Sequence, residues 1–171
     1  MQQRKCMYLK HLLDRRNEYV GKYVKMMRLL ELKARECYDG YIEFGPNDFI
    51  EMLLLDSCFI AELLRKYKFA YQKENNDIIF QYKQVFNQVR RDLVLVENQV
   101  SFFVVDQLFY MTRTENSEDY ILDLVELFID GIYPWLNTFK MTETISMDMV
   151  DHLVKLVHTI WGSSVVSVYV N

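Results

Sequence analysis

Three consecutive polar residues, Glu97, Asn98 and Gln99, stand between an apolar block at residues 93–96 and another at residues 100–105. An unsatisfied buried polar group costs roughly 1 to 3 kcal/mol, so such a triplet cannot lie unpartnered in the middle of one buried element. The pattern predicts a joint: one helix ends near Val96, a second starts near Val100, and the three side chains cap free backbone groups at the break. Asp92 belongs to the same joint. Asp92 and Glu97 are five residues apart and do not share a helix face, which argues against a paired-carboxylate acid/base site. The triplet reads as a polar keystone whose donors and acceptors must all be satisfied, or as a partner or ligand contact at that position.

The rest of the chain reads as helix. Only 5 Gly and 2 Pro in 171 residues leave little turn chemistry for many short strands, whereas apolar residues recur at helical spacing over long runs. The expected fold is all-α, an irregular helical bundle of about six to seven helices. A first helix is predicted over residues 4–15. A second spans about 18–38, with Tyr19, Tyr23, Met26, Met27, Leu30, Ala34 and Cys37 on one stripe and Asp39-Gly40 as its stop. After Gly45-Pro46, Asn47 is the expected N-cap of a helix over 49–64 that is apolar nearly all round and hence central. Beyond a polar break at residues 73–76, one long helix is predicted over 78–96, with Ile78, Tyr82, Val85, Phe86, Val89, Leu93 and Val96 inward. Helices over 100–111, 118–130 and 147–161 follow, and residues 162–171 read as a diverged or frayed tail to a single helical domain over 1–161.

Charge and cysteine usage exclude several classes. Residues 1–45 hold 10 Lys or Arg against 6 Asp or Glu, residues 46–91 hold 7 against 6, and residues 92–171 hold 3 against 12. The bases are interleaved with acids in helical registers and form no phosphate-reading face, so no nucleic acid is expected as a partner. The 3 cysteines, Cys6, Cys37 and Cys58, suit reduced thiols in a cytosolic setting better than a disulfide framework. No apolar stretch reaches the roughly 20 residues of a bilayer span, and the N-terminal residues open an amphipathic helix in place of a secretory signal.

Few residues offer chemistry. Asp56 interrupts the most apolar helix and is the first carboxylate to weigh as an acid or base; the plainer expectation is a buried polar group bonded to a helix end, a tyrosine or an arginine such as Arg90 or Arg91. His152 and His158 are too far apart for a zinc pair on a helix, and no phosphate loop, nucleophile elbow or Cys-x-x-Cys occurs, so neither a metal nor a cofactor is expected and no catalytic residue is assigned. Tyr67, Phe69 and Tyr71, mixed with lysines, form a candidate exposed contact strip.

Several segments together resemble one family. Arg91-Asp92 followed by the apolar run, Glu97-Asn98-Gln99 and Phe102-Phe103 is similar to the signature of the plant domain of unknown function 247 family, also called uncharacterised protein family 0481. Lys5, Tyr8 and Leu9, the Glu31-to-Tyr38 segment with Ala34, Arg35 and Cys37, and the apolar run over 49–60 resemble further family segments, and the likeness extends from residue 5 to about 158. Ser57 stands where the family commonly has Gly, and Ser101 where it has Pro. Family members are longer and usually carry a C-terminal hydrophobic anchor, so this chain reads as a truncated member or internal fragment, cytosolic by itself and membrane-associated in the full-length family. The resemblance implies no reaction; some members are linked to pollen self-incompatibility in grasses, which implies recognition of a protein partner. The preferred expectation is a non-enzymatic protein-recognition or signalling module. The alternatives are an enzyme of unknown class using Asp56 or Glu97, or a degenerate family copy.

Overall fold

The computed structural model describes residues 1–38, 42–69, 77–93, 100–113 and 120–130. The described residues hold seven helices and no β-strand: α1 (Gln2–Arg16), α2 (Val20–Glu36), α3 (Pro46–Lys68), α4 (Ile78–Gln81), α5 (Lys83–Leu93), α6 (Phe102–Met111) and α7 (Ile121–Asp130). The fold class is all-α. Chain contacts divide the protein into two compact units, Met1–Leu63 with Val100–Glu118 and Leu64–Gln99 with Asp119–Asn171.

In the first unit, α1 buries Tyr8 and Leu12 and ends at Asn17, which takes the left-handed conformation at φ 51° and ψ 44°. The Asn17 N–H donates to the Asp14 carbonyl at 3.3 Å and the Glu18 N–H to the Leu13 carbonyl at 3.2 Å. These are the two bonds of a Schellman close, and asparagine is one of the few non-glycine residues that tolerates the position. A sharp stop therefore separates α1 from α2. On α2 the inward face is Tyr23, Met26, Met27 and Ala34, as the helical period predicts. Tyr19 is a correction: it sits before the first helical residue, in extended backbone, and is 91% exposed instead of joining the apolar stripe.

Helix α3 begins at Pro46, and the Gly45 carbonyl accepts the first helical bond, from the Phe49 N–H at 3.0 Å. Proline's fixed φ suits a first helical position. Asn47 is thus inside the first turn and not its cap; its side-chain oxygen accepts from Arg28 at 3.2 Å. From Phe49 to Ala61, buried residues appear on every side of this helix. Ser57 is fully buried there, and its hydroxyl donates to the Leu53 carbonyl one turn back and to that of Leu54 at 3.4 Å. That bond lets a serine stand in the core. Helix α6 packs on α2 and buries Phe102, Val104, Val105, Leu108 and Phe109. The Thr112 hydroxyl closes α6, donating to Leu108 at 2.8 Å.

In the second unit the predicted long helix over 78–96 is broken. Tyr82 is extended, at φ −115° and ψ 114°, between α4 and α5. In an unbroken helix Phe80 and Phe86, six residues apart, would point about 120° away from each other around the axis. The break re-phases them, and their rings meet at 5.1 Å. Ile79, Val89, Leu93, Ile121, Leu124, Val125 and Phe128 are buried in this unit. The predicted helix over 147–161 and the tail lie outside the described residues.

Candidate functional site

The keystone residues Glu97, Asn98 and Gln99 lie outside the described residues, as does Tyr71. Asp92, at the end of α5, is half-buried and accepts from the Gln88 amide at 2.7 Å. Asp56 is half-buried, and its partner is Lys5 of α1, not the expected arginines. Lysine's long stem reaches it from the neighbouring helix while the ammonium keeps some contact with water. Tyr38 lies near enough for the Asp56 charge to act on it: burial first, and that charge second, push its phenol up to about 12.

Tyr67 is also placed otherwise than expected. Its ring is half-buried, stacked on Phe86 at 5.3 Å and edge-on to Phe128 at 5.4 Å. The Arg90 guanidinium lies within 5.4 Å of the Tyr67, Phe86 and Phe128 ring centres and donates to the Phe128 carbonyl. Arg90 is buried, and burial lowers its pKa from the ordinary arginine value. The rings and the carbonyl supply the negative potential that its charge needs there. Phe69 is half-buried beside exposed Lys68, whose ammonium is 5.4 Å from its ring.

Other buried polar groups work in the same way. In the second unit Lys66 and Asp77 form an ion pair at 2.9 Å with side chains 4% and 1% exposed, and Asp77 also caps α4 by accepting from the Ile79 N–H at 3.2 Å. In the first unit Arg15 bonds to buried Glu62 at 2.6 Å, joining α1 to α3. At the α1–α2 corner Glu18 accepts from Lys22 at 2.8 Å, from the Tyr23 hydroxyl at 2.5 Å and from Arg16 at 3.4 Å. The bonds from Lys22 and Tyr23 hold the Glu18 carboxyl down at about 2, and burial with the bond to Glu18 pushes the Tyr23 phenol well above its ordinary value. Burial also pushes the Asp106 carboxyl up, opposed by the Arg113 charge. Apart from Glu18 with Lys22, which are four residues apart, these pairs are not legible in the sequence, because tertiary packing or a chain turn brings their members together.

No group of three or more His, Cys, Asp or Glu among the described residues is placed to hold a metal ion. No described helix is long and apolar enough to cross a membrane. The cysteines are not joined in disulfides; Cys58 is buried and Cys6 exposed.

The outward face of α2 has another character. Leu29 is 85% exposed and Leu32 is 76% exposed. Three residues apart, they lie on one stripe of the helix. Lys25, Arg28 and Lys33 are exposed around them. Sequence reasoning passed over both leucines, which fall off the inward stripe; two leucines among lysines on the far side of an amphipathic helix were the available signal.

Comparison with known proteins places this chain among others of its kind. The DUF247 family model, described as a plant protein of unknown function, matches residues 1–166. The chain is 27% identical over 118 residues to a putative UPF0481 protein of Arabidopsis thaliana, covering 68% of this chain and 21% of that protein. It is 33% identical over 100 residues to another UPF0481 protein of the same plant, covering 56% of this chain and 20% of that one. The chain therefore spans about a fifth of the length of these curated relatives. No solved structure matches it.

Proposed function

The chain belongs to the DUF247 family of plant proteins of unknown function, and from that premise we propose that it is a non-enzymatic helical module for protein recognition. The observation that carries this reading is the exposure of Leu29 and Leu32 on a helix whose opposite face is already packed. Apolar side chains left together in water mark a surface that a partner covers. The described buried charges support it from the other side, since Lys66, Asp77, Glu62 and Arg90 are engaged in holding helices together. Recognition of the self-incompatibility type, and attachment of the longer protein to a membrane, enter this reading only as what the family resemblance implies.

The test is affinity capture from plant extract on the immobilised chain, with thermally unfolded chain as the control, followed by calorimetry on purified pairs. The expected result is at least one protein that binds the folded chain alone and reproduces as a purified 1:1 pair. Failure to recover any protein above the unfolded control rejects the reading.

A further inference from the structure

The outward face of α2 has the chemistry to choose its partner. We propose that Lys25, Arg28, Leu29, Leu32 and Lys33 form a docking face for an acidic amphipathic helix of a partner protein, a step that rests on the recognition reading above. The leucines are 85% and 76% exposed, which is close to full solvation for a helical side chain. At about 100° per residue they lie roughly 60° apart around α2, with Lys33 on one side of the stripe and Arg28 on the other. From Lys25 to Lys33 the face extends about 12 Å, the length of two turns of a partner helix. Arg28 is already oriented by its bond to Asn47 at 3.2 Å, and the Lys33 ammonium is held 4.6 Å from the Phe103 ring. Lys22, at the near end, is taken by Glu18. Over the two turns from Lys25 to Lys33 the face is therefore an apolar ridge edged by positive charge, with the exposed Glu36 just beyond its far end, and its complement is a helix with an apolar groove edged by Asp and Glu.

Two other occupants fit less well. A membrane surface would need the broad apolar face of an amphipathic helix, and on α2 that face, with Tyr23, Met26, Met27 and Ala34, is buried within the first unit. A second copy meeting through the same face would set Lys25, Arg28 and Lys33 against their own like charges.

The test uses the full chain and a synthetic helical peptide of about 20 residues, with leucines at helical spacing flanked by glutamates. Fluorescence anisotropy should show saturable binding that weakens about tenfold or more between roughly 0.05 M and 0.5 M salt. The same peptide with lysine in place of each glutamate should not bind. Leu29→Ser with Leu32→Ser, and separately Lys25→Glu with Lys33→Glu, should each weaken the acidic peptide about tenfold or more while the chain still unfolds cooperatively and is fully folded at the binding temperature. Equal binding of both peptides, no binding of the acidic one, or binding that both variants retain overturns the proposal. So does leucine-dependent adsorption to phosphatidylserine vesicles without peptide binding, or leucine-dependent dimerisation of the chain. A partner captured from extract that binds the leucine variant as tightly as the native chain would leave the recognition reading standing and reject this face alone.

Discussion

At the scale of single residues, Glu18, Glu62, Lys66, Asp77 and Arg90 are committed to structure, and their energetics can be read as stability. The Glu18 carboxyl, held at about 2 against an ordinary value of 4.5, contributes stability that is fully present above pH 4.5 and is lost as the pH falls through about 2. Glu18→Gln should therefore lower the melting temperature at neutral pH, and the gap between variant and native chain should close as the pH is taken from 4.5 to about 2 in a thermal titration followed by circular dichroism. Lys66 and Asp77 make a different case, because both are almost wholly buried. Removing one member of such a pair strands a charge and costs roughly 3 to 5 kcal/mol, far more than the pair's net value. Lys66→Met should accordingly lose that much in urea unfolding. Adding Asp77→Ser should restore part of the loss, since it removes a buried carboxylate that has lost its lysine and keeps an oxygen that can cap α4. A double variant less stable than the single one would show that the aspartate matters chiefly as a cap.

At the scale of elements, the helices declared themselves through periodicity, and the errors came where two registers fit the same letters. The stripe Tyr23, Met26, Met27 and Ala34 was legible because the 3.6-residue period puts all four on one face, which the structure buries. The same logic joined Ile78, Tyr82, Val85, Phe86 and Val89 into one helix, yet Tyr82 is extended and α5 begins afresh at Lys83. The break brings the Phe80 and Phe86 rings together, and no local propensity announces a contact of that kind. At the start of α3, proline at the first helical position outranks asparagine as a cap. Of the candidate site, the outward leucines were visible but unweighted, while pairs such as Arg15 with Glu62 depend on tertiary proximity alone. Gly21 offers an element-scale test. It lies in the first turn of α2, is exposed, and a Cβ added there would meet no atom within 4 Å. Gly21→Ala should therefore stabilise by about 0.5 kcal/mol, by narrowing the unfolded ensemble and favouring the helix, and chemical denaturation should read it as a raised midpoint with unchanged slope.

At the scale of the molecule, the decisive fact is that neither compact unit is continuous in sequence. The first takes Met1–Leu63 and then Val100–Glu118, so α6 reaches its place only after the chain has passed through the second unit. Phe102, Val104, Val105, Leu108 and Phe109 of α6 are buried, and α2 is the helix on which α6 packs. A fragment ending at residue 63 keeps α1, α2 and most of α3 but exposes the α2 surface that α6 would cover. Each large apolar side chain returned to water forfeits about 1.5 to 3 kcal/mol, so the loss rivals the whole stability of a small domain. The fragment of residues 1–63 should thus show helical far-ultraviolet dichroism without a cooperative thermal transition, whereas the full chain unfolds with one. The fragment of residues 1–118, which restores α6, should regain cooperativity in the first unit. If 1–63 alone melts sharply, α1 to α3 hold a self-sufficient core, and α6 is not what completes the first unit.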